Sequence, residues 1–86
     1  MAGLLSTPDK DAVWMKGHVI VGYDPRDMRK DDLGYFIRYS EYGEHSTYGW
    51  EIDHIIPKSR GGSDFISNLR PLWWQANAAR GGRLSH

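Results

Sequence analysis

The sequence predicts a small α+β domain, with two clear strands, a C-terminal helix and an added hairpin or strand pair upstream. Three observations carry this. Tyr35-Phe36-Ile37-Arg38-Tyr39 and the run from Trp50 to Ile56 are rich in β-branched and aromatic residues, the composition of half-buried strands. Trp73 to Arg80 is rich in Ala, Gln and Trp and is followed by Gly81-Gly82, a helix with a glycine stop. Third, the chain has 86 residues and no cysteine, so aromatic packing is left to stabilise it: four Trp, five Tyr and two Phe.

That third point follows from size. A chain this short buries only roughly 60–65% of the surface its unfolded form exposes. Small domains compensate with disulfides, structural metal or dense packing. Without cysteine, disulfides and thiolate zinc sites are excluded, and no structural zinc is expected. No apolar run reaches the ~20 residues that span a bilayer, so no membrane partner is expected. The lack of cysteine fits a reducing compartment, and a cytoplasmic location is the expectation. Formal net charge is zero, which argues against purely electrostatic DNA binding. The charge is uneven, however. Residues 1–50 hold six Lys/Arg against eight Asp/Glu, and residues 51–86 hold five against three.

In chain order, residues 1–11 read as a disordered N-terminus and 12–86 as one domain. Val13 to Val21 reads as two short strands or extended arms around a turn at Lys16-Gly17. Gly22-Tyr23-Asp24-Pro25 breaks that pattern. Arg26 to Asp32 is a dense charge cluster, best read as a solvated turn with local ion pairs. Tyr35–Tyr39 is a strand, and Ser40 to Gly49 a loop. Trp50 to Ile56 is the second strand, ended by Pro57, which cannot donate to a ladder. Arg60-Gly61-Gly62-Ser63 is a turn, after which Ser63 or Asp64 can cap a short helical turn over Phe65 to Asn68. Leu69 to Leu72 is extended and leads into the helix. The segment from Trp50 onward thus reads strand, long loop, short strand, helix.

This segment also carries the candidate chemistry. Asp53 and His54 are adjacent; thirteen residues separate His54 from Asn68, and eight separate Asn68 from Asn77. An acid, an imidazole and two amides can hold one hard cation beside one general base. Oxygen ligands suit Mg²⁺, which keeps several waters and takes only one or two protein groups. Asp53 offers a charged oxygen and Asn77 a neutral one. His54 is the natural base, since an imidazole is mostly neutral at pH 7 and can take a proton from water. One ring nitrogen must then be held, and a backbone carbonyl of the following loop is the expected acceptor. Asn68 can fix that loop, because an amide bridges two backbone groups at once. Arg80, three residues after Asn77, shares its helix face and can grip a phosphate. Lys58, Arg60 and Arg70 can meet a DNA backbone or be plain loop charge. Trp73 and Trp74 read as core and groove edge rather than stacking platforms. Glu51 reads equally as support behind a metal ligand or as a strand-face acid. One difficulty is geometric: neighbours in a strand point to opposite faces, so Asp53 and His54 serve one site only where the strand ends or twists.

Trp50-Glu-Ile-Asp53-His54-Ile-Ile-Pro57, Gly61-Gly62, Asn68-Leu69 and Asn77-x-x-Arg80 together resemble the HNH endonuclease family, over residues 48–82. Upstream, Trp14, Gly22-Tyr-Asp-Pro25, Arg29-Lys-Asp31, Gly34 and Tyr42-Gly43 are similar to a branch of short, stand-alone HNH proteins. The resemblance implies a ββα-metal (His-Me finger) domain with an N-terminal β elaboration. It also implies a DNA nuclease using Mg²⁺, Mn²⁺ or a similar divalent ion. His54 would be the general base, Asp53 and Asn77 the metal ligands, and Asn68 the residue fixing the loop. Asn77 stands where the family's third histidine is named, a His-Asn-Asn variant that favours Mg²⁺ over softer metals. Arg80 stands where Lys is common and Gly82 where an acid is frequent, and the zinc-binding cysteines of many relatives are absent.

The leading expectation is therefore a metal-dependent endonuclease hydrolysing DNA phosphodiesters. The alternatives are a catalytically inactive HNH-like nucleic-acid-binding module and a small interaction domain with a vestigial site. Oligomeric state and sequence preference are not encoded in these patterns.

Overall fold

The computed structural model describes residues 9–81. In order they form α1 (Lys10–Trp14), β1 (Met28–Lys30), β2 (Phe36–Arg38), β3 (Trp50–His54), β4 (Leu69–Trp73) and α2 (Trp74–Ala79), with 3₁₀ turns at Tyr39–Glu41, Lys58–Arg60 and Ile66–Asn68. Strands β3 and β4 pair antiparallel, and α2 follows β4 directly, giving the expected ββα unit. The register sets Trp50 opposite Trp73, Asp53 opposite Arg70 and His54 opposite Leu69. Pro71 is tolerated in β4 because both strands of a two-stranded sheet are edges.

The added β element is a second antiparallel hairpin, β1–β2, with Arg29 opposite Ile37. Its turn closes on Asp31 and on Gly34, whose φ of 94° is a left-handed conformation that a Cβ disfavours. This hairpin lies where a solvated charge cluster is expected, and two of the cluster's charges are buried: Arg29 is 7% exposed and Asp31 2%. Burial is possible because both are fully partnered. Arg29 donates to the carbonyls of Pro25, Met15 and Gly17 at 2.9, 3.2 and 3.0 Å. Asp31 Oδ1 accepts from the Leu33 and Tyr35 amides at 3.0 and 2.8 Å, and its Oδ2 accepts from the Trp73 amide at 2.9 Å.

A further correction concerns Val13 to Val21. No strand pair forms, and Val13 and Trp14 end a short helix in place of the first strand or extended arm. The Asp9 side chain caps it, accepting from the amides of Asp11 and Ala12. Only His18 keeps extended pairing, through a bridge to Lys30. The apolar residues that suggest a strand are core residues presented by one helical turn, and burial overrides propensity. Residues 1–8 and Gly82 lie outside the described residues, while Asp9 to Asp11, within the stretch expected to be disordered, form the cap and first turn of α1.

The core is Val13, Trp14, Ile37, Trp50 and Leu69, with Tyr39, Ile52 and Trp73 packed against it. Trp14 and Trp50 lie 5.2 Å apart between ring centroids, and Tyr39 meets Trp14 edge-on at 5.5 Å. Each buried indole removes about 200 Å² from water, an upper-bound gain of about 5 kcal/mol. The rings thus take the place of a staple, and α1, β2, β3 and β4 all contribute to one cluster. Among the described residues no helix is long and apolar enough to cross a membrane.

Candidate functional site

The backbone after β3 explains how the site is shaped. The Ile55 amide donates to the Asn68 carbonyl at 2.8 Å, extending the ladder one residue past His54. The Asn68 side chain then continues it. Its Oδ1 accepts from the Ile56 amide at 2.9 Å, and its Nδ2 donates to the Ile56 carbonyl at 3.0 Å and the Ser63 carbonyl at 2.9 Å. A carboxamide is a peptide group in miniature, so it pairs with Ile56 as a strand residue would. Asn68 is 9% exposed. Gly62 completes the closure, because a Cβ there would stand 1.7 Å from the Ile56 carbonyl oxygen. The loop from Pro57 to Asn68 is therefore folded back onto the exit of β3.

The folding back brings Asp64 to His54. His54 Nε2 lies 2.6 Å from Asp64 Oδ1, and Lys58 Nζ lies 3.3 Å from Asp64 Oδ2. The hydrogen bond with His54, then that with Lys58, hold the Asp64 carboxyl below its ordinary value, against the opposing effect of desolvation. The imidazole partner is thus a carboxylate and not the expected backbone carbonyl. Asp64 does not cap the following 3₁₀ turn, whose start carries no side-chain cap bond; Ser63 Oγ instead accepts from the Phe65 amide at 3.2 Å.

Asp53 points the other way, as alternation along a strand requires. It is 3% exposed. Its Oδ2 accepts from Arg70 Nε at 2.8 Å and its Oδ1 from Arg80 Nη1 at 2.8 Å. Arg70 also reaches Asp32 Oδ2 at 3.4 Å, and His18 Nε2 lies 2.8 Å from Asp32 Oδ1. Burial acts to lower the Arg70 pKa, but the hydrogen bond and charge of Asp53, then those of Asp32, raise it overall. Sequence reasoning left Arg70 as a contact to a DNA backbone or as plain loop charge, and the second of these does not describe its surroundings. It lies in β4, directly opposite Asp53, with its side chain 16% exposed and committed to that carboxylate.

Helix α2 brings the remaining groups to the Asp53 face. Asn77, 8% exposed, donates through Nδ2 to Glu51 Oε1 at 2.7 Å. Glu51 Oε2 is 3.5 Å from His45 Nε2, and the His45 ring stacks on Trp74 at 4.3 Å. Glu51 thus fixes which end of the Asn77 amide is the oxygen, leaving Oδ1 as its acceptor end. Arg80, at the C-cap of α2, spans Asp53 and the Ile55 carbonyl at 3.4 Å, and so brackets the backbone of His54. Lys58 and Arg60 are exposed on the 3₁₀ turn after Pro57.

The proposed residues fall into two groups on either side of the end of β3. Asp53, Asn77, Arg70, Arg80 and Glu51 lie on one side, and His54, Asp64 and Lys58 on the other, with Asn68 fixing the loop between. Strand β3 itself ends at His54, and pairing with Asn68 continues through Ile55 and Ile56. Sequence reasoning missed Asp64 as the partner of His54 and the double arginine contact on Asp53. The donor set suits a hard divalent cation. Asp53 and Asn77 offer oxygens and the sequence has no thiolate, and hard oxygen donors are what Mg²⁺-like ions take. Among the described residues there is no group of three or more His, Cys, Asp or Glu that could hold a metal ion. The negative charge of Asp53 is meanwhile met by two guanidinium groups.

No curated protein and no solved structure matches the chain. A family model described as HNH endonuclease matches residues 40–83, just over half of the chain and all of the strand–loop–strand–helix unit that holds these residues. The chain therefore belongs to the HNH endonuclease family, whose domains have nuclease-type activity on nucleic acid and generally use a divalent metal.

Proposed function

We propose that the protein is a metal-dependent endonuclease that hydrolyses DNA phosphodiester bonds. The observation that carries this reading is the end of β3. There a carboxylate and an imidazole, Asp53 and His54, diverge from adjacent positions, and α2 places Asn77 and Arg80 on the carboxylate side. Asp53 and the Oδ1 of Asn77 are the residues that would hold a divalent cation, and their hard oxygens would favour Mg²⁺. When bound, the cation supplies positive charge to the scissile phosphate and to the departing 3′-oxygen. His54 takes a proton from the attacking water as general base. Asn68 keeps the loop behind His54 closed, so the base is aimed rather than free. Arg80 exchanges part of its contact with Asp53 for a phosphate oxygen, and the exposed Lys58 and Arg60 add backbone contacts.

The test is direct. Supercoiled plasmid is incubated with the protein in Mg²⁺ or Mn²⁺, beside His54→Ala and an EDTA control. Nicking that needs both the metal and His54 is the expected result. No cutting by the wild type, or equal cutting by His54→Ala, refutes it.

A second reading rests on the two arginines on Asp53. A carboxylate saturated by guanidinium groups on both oxygens is a stable ion cluster without metal, as a nucleic-acid-binding module without cleavage would have. DNA binding that weakens with salt, with no metal-dependent cutting, selects this alternative.

A further inference from the structure

We propose that Asp64 is the positioning residue for His54, fixing the imidazole as the tautomer with its proton on Nε2 and leaving Nδ1 as the atom that takes the proton from water. The inference rests on the nuclease reading for its catalytic half and on geometry for its structural half. The contact itself is short, 2.6 Å between Nε2 and Oδ1. An ionised carboxylate has acceptors and no proton, so its partner nitrogen must be the donor. A neutral imidazole carries one N–H, and with that on Nε2 the lone pair is on Nδ1. Asp64 is held below its ordinary value by its contacts with His54 and Lys58, which keeps it in the acceptor-only form.

A positioning group must itself be positioned, and Asp64 is. The residue before it, Ser63, has its carbonyl held by Asn68 Nδ2 at 2.9 Å. The residue after it, Phe65, donates its amide to Ser63 Oγ at 3.2 Å and accepts the Asn68 amide on its carbonyl at 2.8 Å. Lys58 holds the second carboxylate oxygen at 3.3 Å. Gly62 permits all of this, since its amide donates to the Pro57 carbonyl at 2.9 Å in space that any side chain would fill. The Gly61-Gly62-Ser63-Asp64 turn thus delivers a carboxylate to the ring edge from a backbone tied to the strand that carries the ring. Asp64 touches neither phosphate nor water in this scheme and acts only through His54.

The experiment compares wild type, Asp64→Asn and Asp64→Glu, each ¹⁵N-labelled. Long-range ¹H–¹⁵N spectra of the His54 ring, recorded where the imidazole is neutral, give the tautomer. The wild type is expected to show the Nε2–H form. Asp64→Asn, which can donate as well as accept, is expected to give a mixture of forms, and Asp64→Glu to restore the wild-type pattern. Plasmid cutting by Asp64→Asn is expected to fall by about 10- to 100-fold in kcat, with the KM for DNA changed less than about threefold. An Nδ1–H tautomer in the wild type, or a tautomer unmoved by Asp64→Asn, overturns the proposal. So does a variant whose loss is all in KM, which would place Asp64 in DNA binding. If the wild type does not cut, the nuclease reading fails and the catalytic half with it, while the ring spectra still decide whether Asp64 sets the tautomer.

Discussion

Arg80 Nη1 and Asp53 Oδ1 meet at 2.8 Å, joining the C-cap of α2 to the buried carboxylate of β3. With Arg70 on the other oxygen, both oxygens of the carboxylate proposed as a metal ligand are met by protein cations. Removing Arg80 leaves Asp53 with one partner. Because Arg80 is about one-third exposed and Arg70 remains, Arg80→Ala is expected to destabilise the fold by about 1–2 kcal/mol rather than the larger loss of a fully buried pair. Millimolar Mg²⁺ should then raise the melting temperature of Arg80→Ala more than that of the wild type, since the ion replaces the missing charge. Equal shifts in a thermal melt would contradict this.

Asn68 closes three backbone bonds with one side chain. Asn68→Ala leaves the Ile56 amide, the Ile56 carbonyl and the Ser63 carbonyl to find water, at about 2–4 kcal/mol. Asn68→Asp should be nearly as damaging, because a carboxylate cannot donate to the two carbonyls. Hydrogen exchange at the Ile56 amide is the local measurement: it should accelerate in Asn68→Ala by more than the global loss of stability explains.

The two neighbouring glycines separate two causes. Gly61 has φ of 87° and open space where a methyl group would stand, so Gly61→Ala should cost about 1–2 kcal/mol from backbone conformation alone. Gly62 has the Ile56 carbonyl oxygen 1.7 Å from the place its Cβ would take. Gly62→Ala must move the loop and is expected to lower plasmid cutting at least tenfold where Gly61→Ala lowers it less than threefold. Similar activities for the two variants would show that the loop adapts freely.

Acid stability has a defined sign. The Asp32 carboxyl is raised by desolvation but lowered overall by its hydrogen bonds with His18 and Arg70, and Glu41 is lowered chiefly by the Ser46 hydroxyl. Folded values below the unfolded ones mean that the unfolded chain binds protons first as pH falls. The stabilisation is present above the ordinary carboxylate range of about 4 and is lost as pH drops through the lowered folded values. Tryptophan fluorescence should therefore show denaturant midpoints that are steady from pH 7 down to about pH 5 and fall below about pH 4. Asp32→Asn should reduce the slope of that decline.

The motif half was legible because its signals are local. Pro57, Gly61-Gly62 and Asn68 punctuate the loop, and the strand and helix on either side have the expected composition. The α1 segment was not legible, because Val13 and Trp14 satisfy a strand pattern and a core-facing helical turn equally well. Arg29 and Asp31 read as solvent charges until their partners, as far away as Trp73, are known. The Asp53–Arg70 pair was derivable in principle. Once the Ile55 amide is set against Asn68, antiparallel counting places residue 70 opposite residue 53. The His54–Asp64 contact needed the folded-back loop, which no periodicity describes.

The bond from the Trp73 amide to Asp31 Oδ2 spans 42 positions in the chain. Asp31 belongs to the turn of the upstream hairpin, and Trp73 is the last residue before the helix that carries Asn77 and Arg80. The segment matched by the family thus borrows one of its own fastenings from outside its borders. An excised piece starting near residue 48, or a transplant of that piece onto another scaffold, would carry every residue of the signature and lack the acceptor that seats its helix. For this protein the smallest transferable unit of chemistry is larger than the motif that identifies it.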